Sequence, residues 1–270
     1  MPARLIAFII AVILMISRLS VYPAVGEVSP VKIAVVDTGI NTNRLDGARI
    51  FEGKNYIIAD GSTQDLDGHG TRIASIILGA DNGKIKLTGS APKAYLVPLV
   101  YASKLLSGVP VRGGADMIAQ CIRDAVDIYD CRVICVSSGI VYDDVILREA
   151  VLYAEKKGAV VVSAAGNDNI RAPERIYYPA EYQTVISVGS VNADGEISSF
   201  SQRSGKVDLY ALGEDVSAVS VKNAKFYETV SGTSYAAAYI AGKAANLFMK
   251  NPGITPAEVR DILYKNVELL

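Results

Sequence analysis

Residues 31–39 read Val31-Lys32-Ile33-Ala34-Val35-Val36-Asp37-Thr38-Gly39, an apolar run that ends abruptly in polar residues. The run at residues 31–36 is typical of a strand in a parallel sheet, which is covered on both faces and therefore apolar on both. Asp37 would then lie at the carboxyl edge of that sheet. Because α/β proteins bind their ligands at this edge, the pattern makes Asp37 a candidate site residue.

The same pattern recurs along the chain, with helix-like segments between apolar runs. Strands are predicted at residues 31–36, 94–100, 133–137, 159–164, 184–188 and 207–210. Helices are predicted at residues 70–77, 115–129, 143–157, 234–249 and 255–264, the last with Thr255 as N-cap and Pro256 at its first position. This alternation predicts an α/β fold with a parallel sheet and a ligand site at the carboxyl ends of the strands.

Composition and charge narrow the class of protein. The 270 residues contain no linker-like segment, so we expect one large domain. The net charge is −1 and no basic run exceeds three residues, which argues against nucleic acid as a partner.

The chain has three cysteines. Cys131 and Cys135 lie about 13 Å apart if their run is a strand, which is too far for a disulfide. Cys121 could reach one of them only if the fold allows it. We interpret all three as buried small hydrophobic residues and expect no zinc site.

The amino terminus differs from the rest of the chain. Arg4 precedes an apolar run at residues 5–16, which Ser17-Arg18 ends. A membrane span needs about 20 apolar residues, so the run is typical of the apolar region of a secretory signal. Small residues at Ala24-Val25-Gly26 suit cleavage. We expect residues 1–26 to be an export signal, with an uncleaved anchor that associates with the membrane through residues 5–16, or a buried helix, as alternatives.

Four segments carry the candidate chemistry. The only histidine lies in Asp67-Gly68-His69-Gly70-Thr71, so any imidazole base must be His69. Asp37 and Asn167 follow predicted strands, and Ser234 opens a predicted helix whose free N–H groups favour a developing oxyanion. Each residue alone has an ordinary interpretation: Asp37 and Asn167 as turn residues, His69 as a surface or core residue, and Ser231, Thr233 or Ser234 as a helix cap. Together they follow the order Asp, His, Ser, which is a known triad order.

On these residues the chain resembles the subtilisin family of serine proteases, the subtilases. The matching motifs are Val36-Asp37-Thr38-Gly39, His69-Gly70-Thr71, Ala165-Gly166-Asn167 and Gly232-Thr233-Ser234. The resemblance runs from about residue 31 to residue 263. It implies a three-layer α/β sandwich with a mostly parallel central sheet, a catalytic domain at residues 27–270, and a cis Tyr178-Pro179 bond.

The resemblance also implies roles for individual residues. Ser234 would be the nucleophile of an acyl-enzyme mechanism, His69 its general base, Asp37 the partner of His69, and Asn167 an oxyanion donor. The segment Ser137-Ser138-Gly139 would pair with an extended polypeptide substrate as an added strand. Tyr177 stands where the family has a small residue at the floor of the primary specificity pocket. We therefore hypothesise a shallow pocket that prefers small residues at the cleavage site.

Several features depart from the family pattern. Arg72 follows Thr71, where the family has His or a small polar residue. After Ser234 the family usually has Met-Ala-x-Pro-His, whereas this chain has Tyr235-Ala236-Ala237-Ala238-Tyr239. Asp46 matches a family position that often binds calcium, and the loop at Asp81-Asn82 could contribute ligands, although the lysines in that loop add positive charge. We interpret Asp65 and Asp67 as loop carboxylates rather than as calcium ligands. No other cofactor is expected. Only Glu27-Val28-Ser29-Pro30 separates the predicted signal from the first strand, so we expect unaided folding or a folding helper or inhibitor in trans.

These observations predict an exported serine endopeptidase. One alternative is a degenerate subtilase that binds peptides or proteins without cleaving them, which the altered residues after Ser234 would suit. An esterase with the same triad is a second alternative. It is disfavoured because the segment Gly232-Thr233-Ser234-Tyr235-Ala236 lacks the Gly-x-Ser-x-Gly elbow.

Overall fold

The computed structural model describes residues 30–104, 108–221 and 226–266. In chain order, its strands are β1 (Lys32–Asp37), β2 (Lys54–Asn55), β3 (Gly79–Asp81), β4 (Lys86–Thr88), β5 (Tyr95–Val100), β6 (Ala102–Lys104), β7 (Pro110–Arg112), β8 (Val133–Val136), β9 (Val160–Ala164), β10 (Ile186–Val191), β11 (Leu209–Leu212), β12 (Val216–Val219) and β13 (Tyr227–Val230). Its α-helices are α1 (His69–Leu78), α2 (Ala115–Asp127), α3 (Val145–Lys156), α4 (Thr233–Lys250) and α5 (Pro256–Lys265).

Seven strands form one sheet in the order β11-β10-β9-β8-β1-β5-β2, and every neighbouring pair is parallel. The alternating side chains of β1 build the two layers of core. Ile33 and Val35 pack on the side of α1, α4 and α5, whereas Ala34 and Val36 pack on the side of α2 and α3. The predicted three-layer α/β architecture with a parallel central sheet is therefore confirmed.

Helix α4 lies inside the molecule and determines how closely its layer approaches the sheet. Its alanines are fully buried against the strands. The small side chains of these alanines let the helix backbone come close to the sheet, which explains why a central helix can be so rich in alanine. By contrast, α5 lies at the surface and begins at the predicted cap, where Thr255 and Glu258 form a reciprocal capping box.

The bounds of the main strands and helices agree with the sequence prediction to within a few residues. Three antiparallel pairs, β3–β4, β6–β7 and β12–β13, were not predicted. The predicted cis bond at Tyr178-Pro179 is present. Cys121, Cys131 and Cys135 are free and buried, as predicted.

The predicted signal or anchor at residues 1–26 lies outside the described residues. Within the ranges that the structure does describe, no helix combines the length and the apolar character that crossing a membrane requires.

Candidate active site

A cleft of about 450 Å³ opens at the carboxyl ends of the central strands. It lies where the sheet edge was predicted to carry the site. The predicted residues that line it are Asp37, His69, Ser137, Ser138, Gly139, Asn167, Tyr177 and Ser234. The structure thus brings together every predicted site residue except Asp46, although strands and helices far apart in sequence supply them.

Asp37 and His69 are in direct contact in the cleft. Asp37 is the last residue of β1 and is only 3% exposed. His69 Nδ1 lies 2.8 Å from Asp37 Oδ1 and 2.9 Å from Oδ2. The backbone N–H of Thr38 donates to Asp37 Oδ1 at 2.8 Å, which fixes the carboxylate from the other side. The imidazole therefore has its Nδ1 engaged, and its Nε2 remains for other chemistry.

Asp65 holds the loop that carries His69. This carboxylate is 7% exposed and lies at the centre of a hydrogen-bond cluster. Its Oδ1 accepts from Thr38 Oγ1, Asp67 N and Gly68 N, and its Oδ2 accepts from both N and Oγ1 of Thr71. These bonds satisfy N–H groups at the beginning of α1, where no helical acceptor exists. The loop-carboxylate interpretation of Asp65 agrees with this arrangement, but its central position was not foreseen.

The close packing at Gly70 explains why a glycine follows His69. A Cβ at this position would lie 2.2 Å from the carbonyl oxygen of Gly39, so a side chain there would clash with the backbone. The Gly70 N–H also donates to Thr38 Oγ1 at 2.9 Å. The close approach joins α1 to the segment after β1 and keeps His69 beside Asp37.

Ser234 lies in the first turn of α4 and is 6% exposed. Its hydroxyl donates to the carbonyl oxygen of Ser137 at 2.7 Å. Because a hydroxyl carries a single proton, Ser234 does not donate to His69 in this conformation. The helix begins after Gly232, which makes no side-chain cap, so the interpretation of Ser231, Thr233 or Ser234 as the N-cap is wrong. The reason is that Gly232, which has no side chain, occupies the cap position, and the Thr233 N–H is bonded by Asn167 from outside the helix.

Asn167 follows β9 and faces the same helix end. Its Oδ1 accepts from the N–H and from the hydroxyl of Thr233, both at 2.9 Å. The backbone donor fixes the orientation of the amide, because only the oxygen can accept from an N–H. The Asn167 Nδ2 is therefore on the side of the amide away from the Thr233 N–H.

Two opposing influences set the pKa of His69. Burial lowers the pKa of the imidazole, while the charge of Asp37 and its hydrogen bond raise it, and the net result lies above the ordinary histidine value. The positive charge of Arg72 lowers the pKa and the negative charge of Asp67 raises it. A raised pKa means that the imidazole holds its proton to a higher pH than a free histidine does.

The wall of the cleft beside Ser137 carries features that depend on tertiary packing. The Tyr177 ring packs against Gly166, where a Cβ would come within 2.4 Å of the ring, and the Tyr177 hydroxyl donates to Asp168. Arg112 reaches across from β7 and donates to the carbonyl oxygen of Gly139. Arg112 was not predicted, because β6–β7 has no periodic pattern that would reveal a strand pair.

A second cluster lies behind His69. The Tyr235 ring is tilted against the imidazole with ring centroids 5.7 Å apart. Arg72 contacts Tyr235 and pairs with Glu228 of β13, with Nη1 and Oε1 3.2 Å apart. The departures from the family pattern at Arg72 and Tyr235 were the sequence signal for this cluster, but their contact with each other was not predicted.

Asp46 lies outside the cleft and lines a second cavity together with Asp81 and Asn82. The Asp46 carboxylate accepts from Ala48 N and lies 3.5 Å from Arg49 Nε. The side-chain oxygens of Asp81 and Asn82 accept from N–H groups of their own turn. In the part of the chain that the structure describes, no three His, Cys, Asp or Glu side chains form a metal-binding group. The calcium site therefore stays a prediction.

Comparisons with known proteins agree with this geometry. A model of the Subtilase family matches residues 29–268. The Major intracellular serine protease of Bacillus subtilis (strain 168) is 39% identical over 223 residues, which cover 80% of this chain and 67% of that protein. Subtilisin BL of Lederbergia lenta is 36% identical over 235 residues, which cover 87% of this chain and 82% of that protein. The solved structure titled S41 Psychrophilic Protease superposes with a TM-score of 0.73 at 28% identity and covers 87% of this chain and 82% of that one. The chain therefore belongs to the subtilase family of serine peptidases.

Proposed function

We propose that this serine-type endopeptidase cleaves polypeptides through Ser234, with His69 as proton carrier and Asp37 as the partner that orients it. The observation that carries the proposal is the contact of His69 Nδ1 with both Asp37 oxygens, at 2.8 and 2.9 Å, in the cleft that Ser234 also lines. An imidazole held in this way has its Nε2 free to accept a proton.

The reaction needs one small change in the site. Rotation about the Cα–Cβ bond moves the Ser234 hydroxyl from the Ser137 carbonyl towards His69. The oxygen then attacks the peptide carbonyl carbon while Nε2 takes the hydroxyl proton. His69 passes this proton to the leaving amine, which departs as the new amino terminus. Water attacks the remaining ester of Ser234 in the same manner and releases the carboxyl product.

Negative charge that develops on the substrate oxygen has two proposed donors. One is the backbone N–H of Ser234, in the first turn of α4, and the other is Nδ2 of Asn167. The bonds from Thr233 to Asn167 Oδ1 support this role, because they aim the amide nitrogen away from the helix end. Donors that are fixed in advance stabilise the oxyanion without reorganisation during the reaction.

Substrate recognition follows from the same wall of the cleft. We propose that an extended polypeptide pairs with the backbone of residues 137–139 as an added strand. The Tyr177 ring occupies space against Gly166, which supports a shallow primary pocket that prefers small side chains. A peptide library scanned at the residue before the cleaved bond tests this preference. Strong cleavage after Phe or Tyr would contradict it.

Labelling with a fluorophosphonate probe tests the proposed nucleophile on the full chain. The probe should label the wild-type protein, and Ser234→Ala should abolish the label. Ser231→Ala is the matched control, since Ser231 lies three residues away, is exposed and hydrogen bonds to Asp215. A folded protein that takes up no label would favour the peptide-binding alternative, and a label that survives Ser234→Ala would exclude Ser234 as nucleophile.

We further propose that the chain is exported. The support is the sequence of residues 1–26, with Arg4, the apolar run at residues 5–16 and the small residues before residue 27. One relative is named as intracellular, so the N-terminal sequence of this chain, rather than the family, carries the proposal. Cell fractionation with amino-terminal sequencing tests it. Export predicts an extracytoplasmic product that begins near residue 27, and a product that keeps residues 1–26 in the membrane would instead support the anchor.

A further inference from the structure

The pair β6–β7 lines the cleft and contacts the loop that carries Asp67 and His69. Arg112 is paired with Ala102 in its register. The base is fixed by the bond from Gly113 N to Tyr101 O at 2.8 Å and by the bond from Tyr101 N to Asp37 O at 3.1 Å. On the other side, Lys104 pairs with Asp67, with Nζ and Oδ2 2.6 Å apart. The position of this wall relative to His69 is therefore fixed by several contacts.

Arg112 differs from the other charged groups around the cleft. Asp67 is paired with Lys104, Asp168 with Arg175, and Asp37 with His69. Among the described residues that line the cleft, Arg112 is the only lysine or arginine. Its guanidinium lies over the Tyr101 ring, 5.9 Å from the centroid, and donates to the Gly139 carbonyl. An exposed guanidinium that bonds a neutral carbonyl has donors left for a carboxylate, which it binds more strongly.

The position of Arg112 relates it to a definite part of a substrate. Ser234 Oγ lies 2.7 Å from Ser137 O, so the bond under attack lies beside Ser137. In antiparallel pairing, the residues on the acyl side of that bond run along Ser138 and Gly139. Gly139 then lies opposite the third residue before the cleaved bond, and Arg112 is in contact with its carbonyl.

We propose that Arg112 is a specificity-determining residue that selects an acidic side chain in the substrate, two or three residues before the cleaved bond. The inference rests on the proposed function for its register. A substrate carboxylate accepts two parallel N–H bonds from the guanidinium fork of Arg112 and replaces the bond from Arg112 to the Gly139 carbonyl. The carbonyl of Gly139 is thereby released to accept from the substrate backbone. Lys104 does not compete for the substrate, because Asp67 already pairs with it.

Binding to a Ser234→Ala protein tests the inference without requiring catalysis. The probes are fluorescent octapeptides that carry Glu, Gln or Lys at the second or third residue before the expected cleavage site, and anisotropy gives their Kd. We expect the Glu peptide to bind about fivefold more tightly than the Gln peptide at one of these positions, as for an exposed ion pair. This preference should weaken as salt is added.

Variants in the Ser234→Ala background attribute the preference to Arg112. Arg112→Gln should abolish the preference for Glu, and Arg112→Glu should turn it into a preference for Lys. The matched control is Arg123→Gln, which removes the same charge from α2, where Arg123 lies over the Tyr153 ring. Equal binding of Glu and Gln peptides, no binding of either, or a preference that survives Arg112→Gln overturns the inference. Cleavage of the same peptides by the wild-type protein is measured separately, so that loss of activity alone counts against the proposed function and not against Arg112.

Discussion

Two helices begin in the cleft, α1 at His69 and α4 at Thr233, and the N–H groups of their first turns have different fates. At α1, the carboxylate of Asp65 accepts from Gly68 and Thr71, and the Thr38 hydroxyl accepts from Gly70. At α4, the neutral amide of Asn167 accepts from Thr233, and within the described residues the Ser234 N–H has no hydrogen-bond acceptor.

The difference matches what each helix contributes. The Asp65 carboxylate at the beginning of α1 satisfies N–H groups of the helix and offsets the positive end of the helix dipole, which stabilises the backbone that carries His69. In the proposed mechanism, a carboxylate at the beginning of α4 would repel the negative charge that develops on the substrate oxygen. The neutral Asn167 avoids this repulsion and adds a donor of its own. Under the proposed mechanism, the beginning of α1 holds the His69 side chain in place, and the beginning of α4 stabilises negative charge.

The largest expected effect comes from removing His69 or Ser234, the side chains that the two helices contribute to the cleft. His69→Ala and Ser234→Ala should each lower kcat about 10⁶-fold, the loss known for such changes in a subtilisin, a member of the same family. The double variant should lose no more than either single variant, because the two side chains act in one proton transfer. Steady-state kinetics on one peptide measures all three. Losses that multiply in the double variant would show that the helices act independently.

Substitutions of Asn167 test the beginning of α4, where, among the described residues, the Ser234 N–H has no acceptor. Asn167→Ala should lower kcat about 10²- to 10³-fold with little change in KM, a magnitude that is also taken from a subtilisin. Asn167→Asp is the sharper variant, since a carboxylate can still accept from Thr233 but has lost both donors and adds a repelling charge. We expect Asn167→Asp to lose at least as much activity as Asn167→Ala while it keeps its thermal stability. An Asn167→Asp enzyme with near wild-type kcat would refute the proposed role of the amide.

Substitution of Asp65 tests the beginning of α1, where this carboxylate accepts from backbone N–H groups. In Asp65→Asn, one oxygen becomes an NH₂ group, and on either side of the carboxylate that group would face a backbone N–H that cannot turn away. The buried clash should lower the free energy of unfolding by about 3 kcal/mol. Denaturant unfolding measures this change, with Asp60→Asn as control, because Asp60 is an exposed residue in the same connection between β2 and α1. Equal losses in the two variants would mean that Asp65 does not organise α1.

The sequence pattern was informative where one residue type has a fixed structural consequence. Apolar runs placed the strands of the central sheet, and Thr255 with Pro256 placed the beginning of α5. The alternation of strands and helices then brought Asp37 and Asn167 to one edge, since parallel strands end on the same side. Their catalytic roles, like those of His69 and Ser234, stay predictions until they are measured.

What the sequence did not reveal depends on the paths of loops. Asp65 gives no periodic signal, and its five hydrogen bonds exist only because the loop folds back onto Thr38 and Thr71. Arg112 belongs to a strand pair of three residues on each side, too short for an alternating pattern to be recognised. The contact of Arg72 with Tyr235 joins two helices that lie about 160 residues apart in sequence, a distance at which no local pattern operates.

The smallest expected effect concerns the charges behind His69. Burial lowers the pKa of His69, Asp37 raises it above the ordinary value, and Arg72 counteracts Asp37. His69 must be unprotonated to accept the Ser234 proton, so activity is lost as the pH falls through this pKa. Arg72→Gln removes a positive charge and should raise the pKa, which moves the acid limb of kcat/KM to higher pH. Asp67→Asn removes a negative charge and should move the limb to lower pH. Arg72→Lys keeps the charge and should leave the acid limb in place. If the limb instead moves in the same direction in Arg72→Gln and Asp67→Asn, structural disturbance rather than charge sets the protonation of His69.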